Sequence, residues 1–198
     1  HFHKYFLKKD WVFDHSVFKS KSFLYVGYWQ SYKYFEKIRE VLLSEFTLKE
    51  SLDQVNLEIL NRIQISNSVS LHIRRGDYVT SKKSIVCPIE YYEKAIKTIN
   101  ETIKNPTFFI FSDDISWVKS NLNMKSFNCE YIDVNRNNPE RDLELMKNCQ
   151  NNIIANSTFS WWGAWLNKNK DKKVIVPKIW MNLKPISKDL VLPDWIIV

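Results

Sequence analysis

From Val69 to Val176 the chain alternates about five times between a short apolar run and an amphipathic segment of helical period, which leaves few folds open. The expected strands are Val69–Ile73, the continuous apolar run Thr107–Phe111, the weaker Glu130–Val134, Asn152–Ala155 and Lys173–Val176. Pro88 opens a helical segment with Tyr92, Ala95, Ile96, Ile99 and Ile103 on one face, and Asn105-Pro106 ends it. Further helices are expected around Ser116–Leu122, Glu140–Cys149 and Phe159–Asn167. Such alternation builds a parallel sheet, because each strand returns through a crossover helix, and crossovers are right-handed. The expected fold class is α/β, a Rossmann-like doubly wound parallel sheet with helices on both faces.

The first 66 residues read differently. Residues 1–30 are crowded with aromatic and basic side chains, and Ser22–Tyr28 suits a strand. Ser31–Glu45 carries Tyr34, Ile38, Val41 and Leu42 at helical spacing. A second helix is expected from Leu48 to Ile63, with Thr47 and Glu50 at capping-box spacing. The expected division is a mostly helical part, residues 1–66, and a Rossmann-like domain, residues 67–198. The tail after Trp180, with Pro185 and Pro193, is expected to pack back across that domain. The opening His1-Phe2-His3, without Met or a charged-then-apolar leader, suggests a piece of a longer protein.

Composition excludes several classes. Hydrophobic residues make up 44% and charged residues 26%, which excludes a disordered chain, and three Gly and six Pro exclude a collagen-like one. Cys87, Cys129 and Cys149 are odd in number and form no Cys-x-x-Cys pair, so a reducing compartment is expected rather than a disulfide scaffold or zinc ribbon. The sequons at Asn100 and Asn156 read as chance in an Asn-rich chain. No apolar run approaches the roughly 20 residues of a membrane span. The net charge of +7 favours an anionic partner. A nucleic-acid-binding module is one such reading. The basic residues are dispersed into short pairs such as Lys82-Lys83 and Lys172-Lys173, however, and no recognition-helix pattern accompanies them.

Ligands of open α/β sheets bind beyond the carboxyl ends of the strands, and the polar residues gather there. His72-Ile73-Arg74-Arg75-Gly76-Asp77 puts two guanidinium groups at a strand end. Their planar forks suit phosphate oxygens, with Asp77 steadying one of them; the plainer alternative is a structural Arg–Asp pair. Ser112-Asp113-Asp114 offers acceptors for a ribose or base, or a helix cap. It is not an Asp-x-Asp signature, and no cluster of hard oxygen ligands suggests a metal. Asp133, Asn135 and Arg136 follow the third strand. Asn156-Ser157-Thr158-Phe159-Ser160 leads into a helix whose start is either an anion site or a plain N-cap. Trp161, Trp162 and Trp165 read as core.

Three segments together resemble the family-eleven glycosyltransferases, the bacterial and animal α-1,2-fucosyltransferases. They are His72 to Tyr78, Phe109 to Asp114, and Asp142-Leu143 through Ser157-Thr158-Phe159-Ser160-Trp161-Trp162-Gly163-Ala164, in matching order and spacing. The first is shared more loosely with α-1,6- and protein O-fucosyltransferases, whereas the Ser-x-Phe-Ser-Trp-Trp run is more specific. Gly27-Tyr28-Trp29-Gln30-Ser31 is also typical. The family's Gly-Asn-Gln segment has no counterpart here. The resemblance therefore implies the C-terminal, donor-binding half of a GT-B architecture, with residues 1–66 as a remnant of the acceptor side.

It further implies inverting transfer of L-fucose from GDP-fucose to the 2-hydroxyl of a galactose-terminated glycan in surface polysaccharide synthesis, without metal or cofactor. Arg74 would be the catalytic contact to the donor's β-phosphate, with His72, Arg75 and Asp77 around it. Asp113 and Asp114 would shape the nucleotide pocket, Asp142 would lie near the guanine, and Ser157, Thr158, Phe159 and Ser160 would line the pyrophosphate. A metal-free site must meet the charge growing on GDP with fixed donors. The general base would be Asp77, His72 or a group outside this chain. The expected location is a bacterial cytoplasm, with peripheral contact to the anionic inner membrane face. The alternative is a fragment or inactive relative that binds GDP without turnover.

Overall fold

The computed structural model describes residues 5–7, 12–21, 24–81, 85–181 and 184–198. The strands of the first thirty residues, β1 (Tyr5–Leu7) and β2 (Leu24–Val26), form a small parallel pair of their own. Helices α1 (Arg39–Glu45) and α2 (Gln54–Gln64) lead to β3 (Ser68–Ile73), the short α3 (Gly76–Thr80) and α4 (Ile89–Thr102). Next come β4 (Thr107–Ser112), α5 (Ile115–Asn121), β5 (Asn128–Ile132), α6 (Pro139–Asn148), β6 (Asn151–Ile153), α7 (Thr158–Leu166) and β7 (Val174–Val176). The tail adds an antiparallel hairpin, β8 (Ile179–Met181) with β9 (Lys184–Pro185), and a last strand, β10 (Ile196–Ile197).

Six strands form one parallel sheet in the order β10-β7-β6-β3-β4-β5. The chain runs outward from β3 through β4 to β5, then returns to the other side of β3 and builds outward again. The winding reverses between β3 and β6, and that switch point opens a crevice beyond the strands' carboxyl ends.

The continuous apolar runs are buried on both faces, as a parallel sheet demands. Val69, Leu71, Ile73, Phe108 and Ile110 pack on one side with Tyr92, Ala95, Ile96 and Ile99 of α4 and Val118 of α5. Phe109 and Phe111 point the other way, onto Ile59 and Ile63 of α2 and Leu145 and Met146 of α6. Helix α2 thus shares the sheet's core, and packing continues across residues 66 and 67. Trp161 and Trp165 are buried with Val174, Val176, Trp180 and Trp195. Trp162 is half-buried, stacked on Phe35 and Phe46 at 5.1 Å each.

Several elements depart from the sequence expectations. Ser31–Glu45 is not one helix: it makes 3-10 turns at Tyr32–Tyr34 and Glu36–Ile38 before α1. Phe35, whose ring packs edge-on against Trp161 and Trp165, interrupts the helix with φ −135°, and adjacent aromatic side chains favour helix poorly. Thr47 and Glu50 do not start α2; Asp53 caps it, its carboxylate accepting the Asn56 N–H at 2.9 Å. The third strand of the main sheet lies two residues earlier than expected, and β10 adds a sixth strand from the tail. Ser22 and Phe23 of the expected first strand, and the pair Lys82-Lys83, lie outside the described residues. Among the described residues no helix is long and apolar enough to cross a membrane.

The central strands also carry buried amides. Asn152 of β6 donates to Ser70 Oγ at 2.7 Å and to the Met146 carbonyl at 2.9 Å, and accepts from Asn167 at 2.8 Å. Asn152→Leu strands these partners without water, and each buried unpaired group costs about 1–3 kcal/mol. Chemical denaturation should show a loss of roughly 3 kcal/mol or more; an unchanged midpoint would contradict a structural role for this amide.

Candidate functional site

The crevice at the switch point holds a cavity of about 710 Å³, within the range of small-molecule sites. Its walls come from the ends of β3, β4 and β5, from the loop leading into α6, and from the start of α7.

The two adjacent arginines part company. Arg74 lines the cavity, with Nη2 2.6 Å from Asp77 and Nη1 3.0 Å from Asp113, and its guanidinium lies 5.5 Å from the Tyr78 ring. Arg75 turns away: its guanidinium stacks 3.6 Å from the Trp117 ring and its Nε donates to Asp114 at 3.3 Å. Asp113 organises this parting, because Oδ1 accepts the Arg75 backbone N–H at 2.9 Å while Oδ2 holds Arg74. Gly76 makes room for it, since a Cβ there would lie 2.5 Å from Asp113 Oδ2. Asp114 caps α5 by accepting the Trp117 N–H at 3.1 Å. Of the residues singled out in the sequence, Arg75 and Asp114 therefore stand outside the cavity lining, in the structural pairing and helix-cap roles that were their alternatives.

Ser157, Thr158 and Phe159 line the opposite wall. Ser157 is the N-cap of α7, yet its side chain makes no capping bond to the first-turn N–H groups. Ser160 turns inward: it is buried, and its hydroxyl donates to the Ser157 carbonyl at 3.4 Å. It does not line the cavity.

His72 lines the floor, with its ring 5.5 Å from that of Phe159. Burial, and then the nearby Arg74 charge, push its pKa down to about 3, so the imidazole is neutral. Its Nδ1 has no hydrogen-bond partner among the described residues. A group so acidic when protonated is a poor base near neutrality. Asp142, from the first turns of α6, has its pKa raised to about 6, chiefly by burial. The Asn135 amide opposes that rise by donating to Oδ1 at 2.8 Å, while the Asp133 and Glu140 charges add to it.

The lining also includes Asp133, Asn135 and Arg136, noted in the sequence as following the third strand but given no role, and Tyr78, Ser112 and Asn137. Chemically the lining carries two arginines and four aspartates, so the chain's +7 is not concentrated here. Among the described residues no group of three or more His, Cys, Asp or Glu side chains is placed to hold a metal ion.

The model of glycosyl transferase family 11 matches residues 2–198. The O-antigen biosynthesis glycosyltransferase WbnK of Escherichia coli is 38% identical over 185 residues, which cover 86% of this chain and 59% of that protein. The alpha-1,2-colitosyltransferase of Escherichia coli is 40% identical over 172 residues, 82% of this chain and 58% of that protein. The galactoside 2-alpha-L-fucosyltransferase Sec1 of Mus musculus is 28% identical over 152 residues, 72% of this chain and 41% of that protein. The chain spans less than three-fifths of the length of these relatives.

Two predictions follow from the geometry. Gly76→Ala displaces only the tip of a flexible side chain, so stability should change by no more than about 1 kcal/mol. A crystal structure of the variant should show Asp113 moved off Arg74; an intact pair would mean that Gly76 does not control it. The second concerns Asp142, whose folded-state pKa of about 6 lies above its ordinary 3.8. The folded protein holds this proton more tightly, so ionisation costs stability as pH rises from about 4 to about 6. That cost is complete above pH 6 and absent below about pH 4, and amounts to about 3 kcal/mol at most. Asp142→Asn should therefore be more stable than the wild type at pH 8 and equal to it at pH 3.5. A pH-independent difference in denaturation midpoint would contradict this.

Proposed function

This chain belongs to glycosyl transferase family 11, and from that premise we propose that it carries the donor site of an α-1,2-fucosyltransferase. The enzyme moves L-fucose from GDP-fucose to the 2-hydroxyl of a galactose-terminated glycan, inverting the anomeric carbon and using no divalent cation, in the synthesis of a surface polysaccharide. The observation that carries this reading is the pairing of Arg74 with the uncapped start of α7 across one cavity at the switch point. As the bond from the sugar's C1 to the β-phosphate oxygen breaks, negative charge grows on GDP. The N–H groups of Arg74 left over from Asp77 and Asp113, and those of the α7 first turn, are fixed donors for that charge. The acceptor hydroxyl attacks C1 from the opposite face and gives up its proton to a base on that face. We assign that role neither to His72, which is too weak a base, nor to Asp77, which is bonded to Arg74 on the leaving-group side.

A second reading is favoured by the 40% identity to the alpha-1,2-colitosyltransferase, namely that the sugar transferred is colitose. Parallel assays with GDP-fucose and GDP-colitose on a galactoside acceptor decide between them. Binding of GDP with neither sugar transferred would instead identify a nucleotide-binding relative without turnover.

In the complete enzyme, Arg74→Lys and Arg74→Ala should each lower kcat at least roughly 100-fold, the usual effect of removing one such donor. Arg75→Lys should leave kcat within about threefold and act on stability instead, because Arg75 sits against Trp117. Turnover in EDTA should match turnover without it. A folded Arg74→Ala enzyme with near-normal kcat, or activity abolished by EDTA and restored by Mn²⁺, would overturn the reading.

A further inference from the structure

Behind the cavity lies a chain of buried polar groups that the chemistry above does not use. Asn56 of α2 and Asn135, just after β5, are 1% and 3% exposed. Their amides pair reciprocally: Asn56 Nδ2 donates to Asn135 Oδ1 at 2.9 Å, and Asn135 Nδ2 donates to Asn56 Oδ1 at 2.7 Å. Each amide spends its second N–H on a carboxylate. Asn56 donates to Asp53 Oδ1 at 2.8 Å, and Asn135 donates to Asp142 Oδ1 at 2.8 Å. An ionised carboxylate only accepts, so the two ends fix which way both amides point. Asp53 is itself fixed, as the cap of α2 and the ion-pair partner of Arg141. The result is a rigid relay from the outer helix to one oxygen of Asp142. The other oxygen, Oδ2, accepts no hydrogen bond from the described residues, and Asp142 lines the cavity.

We propose that Asn56 and Asn135 are positioning residues that hold the Asp142 carboxylate as an oriented acceptor edge for the N1–H and 2-amino N–H of a guanine base, and so set nucleotide choice in this cavity. This rests on the GDP-sugar reading above. Adenine would turn a ring-nitrogen lone pair toward the same carboxylate, and hypoxanthine lacks the 2-amino donor. A buried acceptor left unmatched is what separates ligands differing by one N–H. The acceptor must also be ionised. The charged groups around it are Asp133 and Arg136 after β5, Glu140 and Arg141 of α6, Asp53 at the start of α2, and Arg74, Asp77 and Asp113 across the cavity. The pKa of about 6 makes the acceptor a property of neutral and alkaline solution.

Calorimetry on the complete protein with GDP, IDP and inorganic pyrophosphate tests this. At pH 7.5 the wild type should bind GDP roughly tenfold or more tightly than IDP, and the preference should fade by pH 5. Asn56→Leu, and the smaller change Asn56→Ser, should bring the GDP-to-IDP ratio to within about threefold while leaving pyrophosphate affinity at the wild-type value. Three results overturn the relay: a wild type that binds both nucleotides equally, Asn56 variants that keep the preference, or variants that lose pyrophosphate and GDP in parallel. A wild type that binds neither GDP nor pyrophosphate overturns the GDP-sugar reading itself.

Discussion

The cavity at the switch point depends on one carboxylate. Asp113 sits where the buried β4 run ends, beside the end of β3, and bonds both members of the arginine pair. By taking the Arg75 backbone N–H on one oxygen and the Arg74 guanidinium on the other, it decides which arginine faces the cavity. The missing side chain of Gly76 is what lets the carboxylate come so close. Arg75 is then free to lie on Trp117 and tie the start of α5 to the sheet. The orientation of the charged fork is thus a consequence of this one carboxylate's two contacts.

That arrangement changes how the chain's basicity should be understood. A net positive charge suggests an anion partner, yet the cavity lining carries more aspartates than arginines. With so mixed a lining, an anion there would have to be met by directed N–H groups, such as those at the α7 start and on Arg74, rather than by a positive field. The acidic groups have their own tasks: Asp77 and Asp113 orient Arg74, and Asp142 waits deeper in, desolvated and held on one oxygen. The dispersed lysines elsewhere add solubility and long-range attraction without shaping the site.

The fold was legible because its strongest signals are local. A run such as Thr107–Phe111 can only be buried on both faces, and the spacing from Tyr92 to Ile99 fits only a helix on that sheet. Strand order is not local, and neither is the two-residue β10, too short to show a period. A cavity opens where the strand ends gather polar residues, but adjacent residues such as Arg74 and Arg75, or Asp113 and Asp114, are alike in sequence and opposed in space. Asp142 entered only through the family resemblance, since nothing about an acidic residue near a helix start marks it as desolvated. The Asn56–Asn135 pair was invisible for a plainer reason: its members are 79 residues apart, and amides in an Asn-rich chain carry no pattern.

The winding reversal at β3 has a kinetic side. Strands β3, β4 and β5 pair with their neighbours in chain order, whereas β6 must find β3 across a loop of some eighty residues, as the bond from the Gln150 N–H to Ser68 Oγ spans 82 positions. Closing a loop of that length is paid for in entropy before any contact rewards it. The half-sheet bearing Arg74 therefore has a head start over the half bearing Ser157, and the crevice comes into being only when the two meet. A molecule lying across it would fasten that seam, holding the protein together along the junction where chain order gives it least help.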